Sequence, residues 1–292
     1  MDFDRYQQIS AQTDQFSNRK KNDTDLMIPL LGIAGETGTL LAEFKKKIRD
    51  KESYDGFRGR AEEEIGDVLW YLANIATRLN LALSTIASKN LTKTQERWPI
   101  TRKADPVEFF DKNFPRSEQF PRKMRIRVKD DPAKKKSVMI RLPGRTPIGD
   151  PLTDNAYKDD GYRFHDVIHL AFVAVLGWSP VMRDLLACKR KSDPKVDEVE
   201  DGARAAILEE LIVAFIYNNA RDRRFYRQIK HLDTEMLLTI KRIVGHVEVV
   251  RRPMRLWEQA ILQGYAAYRY LLRNREAVLL VDMQKRKLVI EK

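Results

Sequence analysis

Over most of its 292 residues this chain places apolar side chains three and four positions apart, the period of helices with one face inward. In the first third this pattern predicts a helix ending near Arg49-Asp50, with Asp23-Thr24-Asp25 as its N-cap cluster, then helices over 59–79 and 83–98. From 161 it predicts five more, over 162–176, 180–190, 197–221, 233–250 and 255–274. Two-residue alternation appears at 124–128 and 137–142, around the turn Asp130-Asp131-Pro132, and again at 277–281 and 287–290. Each pair reads as a β-hairpin, and the two are expected to join in one small sheet, because an isolated hairpin is marginal. Eight prolines between 99 and 151 separate the two helical parts. The fold expected is therefore mainly α, with a helical bundle over 1–98, a basic Pro-rich linker with a hairpin over 99–160, and a second helical domain over 161–292.

The polar positions inside that pattern carry the chemistry. Glu36, Leu40, Glu43 and Lys47 share one face of the first helix, and Glu64 and Asp67 share a face of the second beside Ile65, Leu69 and Leu72. Carboxylates on a core-directed stripe are costly to bury unless a cation meets them. A hard divalent ion is the natural one, which points to Mg²⁺, or Mn²⁺ in its place, held by Glu36, Glu43, Glu64 and Asp67. Glu63, or a spare oxygen of Glu36, is placed to accept a proton from water, so Glu36, Glu63 and Glu64 are the candidate catalytic acids. On the third helix Asn90, Lys93 and Arg97 again fall on one face.

The runs Gly35-Glu36-Thr37-Gly38 and Glu63-Glu64-Ile65-Gly66-Asp67-Val68-Leu69-Trp70-Tyr71-Leu72, with Asn90-Leu91-Thr92-Lys93 and Arg97-Trp98, resemble the MazG-like all-α nucleoside-triphosphate pyrophosphohydrolases over residues 25 to 98. That resemblance implies Mg²⁺-dependent hydrolysis of a (d)NTP to the monophosphate and pyrophosphate, with Asn90, Lys93 and Arg97 meeting phosphate and sugar, and Lys47 counted with them. It also implies paired bundles, either as a homodimer or as an intrachain pseudo-dimer. The sequence departs from the family pattern at Thr39, where a Glu is usual, and Glu43 one turn on is expected to take over that ligand role. The competing reading is a nucleotide- or nucleic-acid-binding regulator that keeps the fold without efficient chemistry.

The net charge of +12 changes the picture because it is unevenly placed. Residues 99–145 carry 14 basic against 6 acidic side chains and residues 221–292 carry 17 against 8, whereas 1–98 are balanced and 146–220 are acidic. Such basic segments suit a polyanion, nucleotide or nucleic acid, as well as a plain solvated surface. One cysteine, Cys188, excludes an intrachain disulfide and fits a reducing compartment. The acidic, polar start and the lack of an evident apolar run of about 18–20 residues predict a cytoplasmic protein with no membrane partner.

A second cluster lies in the C-terminal half. His165 and His169 are one helical turn apart with Asp166 between, and Glu209-Glu210 occur in a later helix. The spacing resembles His-Glu-x-x-His metal helices, and these five residues could hold a transition metal. Overlaid on the N-terminal segments, Asp166 falls on Glu36, Glu209-Glu210 on Glu63-Glu64 and Tyr217 on Tyr71, which would make the second half a diverged repeat. The acids Asp197, Glu198, Glu200 and Asp201 read as a helix N-terminus favoured by the dipole.

Overall fold

A computed structural model describes residues 1–15, 24–98, 108–131 and 133–291. The chain divides into two compact units, Met1–Gln95 and Glu96–Lys292. The expected N-cap at Asp23 lies outside the described residues.

The first unit is built from α1 (Phe3–Gln12), α2 (Thr24–Asp50), α3 (Phe57–Arg78) and most of α4 (Leu83–Arg97). Helices α2 and α3 pack along each other, and α1 lies on α3. Gly32 makes the first contact close: a Cβ there would sit 2.3 Å from the Tyr71 ring, whereas Gly35 and Gly38 face open space. Polar side chains fix α1, with Gln7 donating to Thr77 and Leu81 and accepting from the Leu83 amide. Arg78 pairs with Asp14 at 2.6 Å. The unit's fully buried apolar set is small: Ala73, Ala76 and Leu83, with Tyr6 against them.

One expectation about this unit needs correcting. Helix α2 and the turn after it, Leu26–Ser53, are long and apolar enough to cross a membrane by length and composition alone. Acids at 36 and 43 had masked that stretch as a polar one. Its acids and its packing along α3 are those of a bundle helix.

The second unit holds a five-stranded antiparallel sheet of order β3-β2-β1-β4-β5. Its strands are β1 (Lys123–Asp131), β2 (Lys136–Leu142), β3 (Thr146–Leu152), β4 (Glu276–Asp282) and β5 (Lys287–Glu291). The two expected hairpins do join, through β1 and β4, with Arg127 opposite Val278. Residues 108–131 and 133–152 of the Pro-rich stretch are therefore part of this unit and not a linker. Strand β3 was not anticipated because Pro147 and Pro151 lie in it, and proline is tolerated there only because β3 is an edge strand.

Met124, Ile126 and Val128 alternate inward from β1 and meet Leu279 and Val281 of β4 in one core. Above them lie α5 (Asp166–Leu176) and α10 (Met254–Asn274). Helix α5 is buried from Val167 through Leu176, as an all-round apolar helix must be. The remaining helices are α6 (Pro180–Leu185), α7 (Pro194–Val199), α8 (Ala203–Arg221) and α9 (Thr234–Ile243). The single helix expected over 197–221 is broken at Gly202, where a Cβ would lie 2.1 Å from the Glu198 carbonyl oxygen. Of its acids Asp197 does lie in the first turn of α7, which Asp193 caps, while buried Asp201 pairs with Arg190 instead.

The second unit does not repeat the first. Helix α5 runs along α10 and against the sheet, and α8 shares their core through Ile212, Val213 and Ile216. No sheet accompanies α2 and α3 among the described residues.

Candidate functional site

Helices α2 and α3 bring Glu36, Glu64 and Asp67 together, as the 3,4 spacing predicts: one carboxylate oxygen from each lies within 4.8 Å of the others. Glu64 Oε2 is buried and has no hydrogen-bond partner. Withdrawal from water, then the Glu36 carboxyl against it and the charges of Glu63 and Asp67, hold Glu64 above the ordinary carboxylate range. The charges that act on it most are all negative. Three hard oxygens and an orphaned buried one fit Mg²⁺, which takes carboxylates and keeps several of its waters.

Glu43 does not join this cluster. It is buried, and its carboxylate accepts hydrogen bonds from Lys46 Nζ and the Tyr54 hydroxyl, which hold it below the ordinary range. The Thr39 hydroxyl donates to the Gly35 carbonyl of its own helix, so the departure at that position stays uncompensated. Lys47 donates to the carbonyls of Lys51 and Tyr54, closing the end of α2. Asn90 and Lys93 are exposed on α4. Arg97 is not: it is buried, pairing with Glu258 at 2.7 Å and donating to the Leu232 carbonyl, so it is a structural cation of the second unit. One-face spacing could not reveal that, because its partners are some 135 and 161 residues away.

The His165–Glu210 cluster also assembles. One ligand atom from each of His165, Asp166 and His169 lies within 4.8 Å of the others. From α8, Glu210 reaches within 3.5 Å of His169 Nε2 and 3.9 Å of His165 Nε2. His165 Nδ1 donates to the Tyr162 carbonyl at 2.8 Å, and His169 Nδ1 meets Glu209 Oε1 at 2.7 Å. Glu209 is fully buried, and its other oxygen accepts from the Val181 amide. Burial lowers the pKa of His165 and raises that of Asp166. For His169 burial acts the same way as for His165, but Glu209 and Glu210 outweigh it and favour a positive charge. The sequence did not disclose Tyr162, which contributes a backbone carbonyl and a ring stacked on His165 at 4.3 Å.

Some of the basic side chains that suited a polyanion are matched from within: Arg125 and Arg127 of β1 pair with Glu291 and Glu276, and Arg122, just before β1, with Asp111.

No solved structure matches the chain. The "Gene 37 protein" of Mycobacterium phage L5 is 39% identical over 69 residues, which cover 23% of this chain and 60% of that protein. The chain thus spans less than two thirds of the length of this relative. The MazG-like resemblance was read over residues 25 to 98, but the family match falls on the C-terminal part. The model of the MazG C-terminal domain covers residues 105–292, the stretch that folds into the five-stranded sheet, α5 to α10 and the histidine cluster. On that match the chain belongs to the MazG C-terminal domain family.

Proposed function

We propose that the protein is a Mg²⁺-dependent nucleoside-triphosphate pyrophosphohydrolase, converting (d)NTP and water to (d)NMP and pyrophosphate. The observation that carries this reading is the meeting of Glu36, Glu64 and Asp67 from two helices, with one buried oxygen lacking a partner. Membership of a MazG family supports it. Mg²⁺ held by these acids would neutralise charge developing on the phosphate oxygens. Glu63, exposed one residue before Glu64, is placed to accept the proton of the attacking water. Asn90 and Lys93 remain the candidate substrate contacts, Lys93 as a point charge for a phosphate. With Lys47 and Arg97 engaged elsewhere, the phosphate-binding set is smaller than the sequence suggests.

Incubation with each NTP and dNTP and Mg²⁺ should release pyrophosphate and the matching monophosphate in equal amounts. Absence of pyrophosphate from all of them would overturn the proposal. The regulator reading would be favoured instead by tight, salt-sensitive nucleic-acid binding without hydrolysis.

A further inference from the structure

We propose that His165, Asp166, His169 and Glu210 form a second metal centre, selective for a divalent transition-metal ion such as Zn²⁺. The inference is independent of the hydrolase reading, because it uses none of the carboxylates of the first unit.

A carbonyl oxygen only accepts, so the 2.8 Å contact from His165 to Tyr162 fixes the proton on Nδ1 and leaves the Nε2 lone pair free. The Glu209 carboxylate likewise keeps a proton on His169 Nδ1, so Nε2 is the nitrogen left to meet a cation, whether a metal ion or a second proton. Both Nε2 atoms then turn toward the same space, where the Asp166 and Glu210 oxygens also lie. His169 is fully buried, and its Nε2 has no hydrogen bond: Glu210, at 3.5 Å, stands off hydrogen-bonding geometry. A buried imidazole nitrogen aimed into a cluster of donors, with no partner, is costly unless something takes its lone pair.

The supports behind the histidines are those of a metal site. Histidine ligands usually pass their second N–H to a carboxylate or a carbonyl, which fixes ring orientation and strengthens the donor. Glu209 does this for His169 and is itself held by the Val181 amide. Tyr162 does it for His165 and also stacks on the ring, with Tyr217 edge-on behind it. The rival account is a protonated His169 held between Glu209, at 2.7 Å from Nδ1, and Glu210, at 3.5 Å from Nε2. That arrangement would account for Nδ1, but it leaves the Nε2 proton without a well-placed acceptor and gives His165 no role.

Donor chemistry selects the ion. Two imidazole nitrogens with two carboxylates suit zinc or iron over Mg²⁺, which prefers an all-oxygen shell. Glu210 is half exposed while the other side chains are largely buried, so solvent reaches the site past Glu210.

The test uses the full-length chain, stripped with a chelator and titrated with Co²⁺. One equivalent should bind with visible ligand-field absorption, be displaced by Zn²⁺, and survive excess Mg²⁺. Glu64→Gln/Asp67→Asn should bind Co²⁺ as the parent does. Glu210→Gln and His165→Gln should weaken binding by at least about tenfold, and Glu209→Gln by about 10–100-fold as the orienting partner. His169→Gln strands Glu209 in the core, so circular dichroism must first show that each variant is folded. A folded chain that binds no Co²⁺ would overturn the proposal. So would a spectrum indifferent to both Glu210→Gln and His165→Gln, or one lost only with the first-unit acids.

Discussion

Glu64, with one oxygen out of water, and buried Asp154 are acids whose surroundings push them in opposite directions. Around Glu64 the neighbours are acids, and its carboxyl holds its proton above the ordinary range. Glu64→Gln or Asp67→Asn should therefore lower pyrophosphate release by about two orders of magnitude or more, the usual scale for losing a preorganised electrostatic contact. Removing a like charge relieves repulsion, so helical circular dichroism should be unchanged and thermal stability equal or higher. Full turnover by either variant would reject the assigned site. Around Asp154 the neighbours are donors. Burial alone would raise its pKa, but the amides of Arg163 and Gly161 and the Arg163 guanidinium outweigh it and hold the carboxyl below the ordinary range. Because the folded value lies below the unfolded one, Asp154 contributes stability in full above about pH 4, and this is lost as pH falls through the folded value. Acid unfolding should accordingly be shallower in Asp154→Asn. Asp154→Ala should cost about 3 kcal/mol, the low end for a broken buried pair, since Asp130 still meets Arg163. Urea titrations at several pH values would measure both, and equal acid slopes for Asp154→Asn and the parent would refute the assignment.

At the scale of elements, contact between α5 and α10 depends on one missing methyl group. A Cβ on Gly264 would lie 2.8 Å from Ile168 Cδ1 and 3.2 Å from Ala171 Cβ. Gly264→Ala should therefore cost about 1–3 kcal/mol by overpacking, despite the better helix propensity of alanine. Ile168→Val removes the clashing Cδ1 and should recover part of that loss in the double variant; strictly additive thermal shifts would deny the contact. This crossing also marks the limit of what the sequence discloses. The helical period located α2 to α4, α5 and α10, and two-residue alternation located β1, β2, β4 and β5, because each pattern records burial on one face. The two polar clusters were legible for the same reason, since Glu64 with Asp67, and His165 with His169, each share a helix face. The parts not legible depend on partners distant in sequence. Arg97 reads as an exposed cation until Glu258 is placed beside it, and Glu43 reads as a ligand until Tyr54 turns toward it. Strand β3 breaks a local rule that only its position at the sheet edge excuses.

For the whole molecule, the two units differ in how they bury apolar surface. The second has one extensive core that joins the sheet to α5 and α10. Among the described residues the first has a buried hydrophobic cluster of only Ala73, Ala76 and Leu83, with Tyr6 packed against it. Its large apolar residues instead face solvent, with Leu41 at 66%, Phe44 at 54% and Ile48 at 67% exposure along one stripe of α2. Exposed stripes of this size mark a surface that something covers. The resemblance to MazG-like bundles supplies the candidate, a second copy of the same chain, and we propose a homodimer built on α2. Light scattering on the eluted protein should then give twice the 34.1 kDa chain mass at micromolar concentration. Leu41→Glu with Ile48→Glu should shift it to a single chain without loss of Co²⁺ binding by the second unit, because neither residue belongs to that core. A parent protein that elutes as one chain would remove the dimer. Co-sedimentation of that single chain with lipid vesicles would instead assign the stripe, and the apolar length of Leu26–Ser53, to a membrane surface.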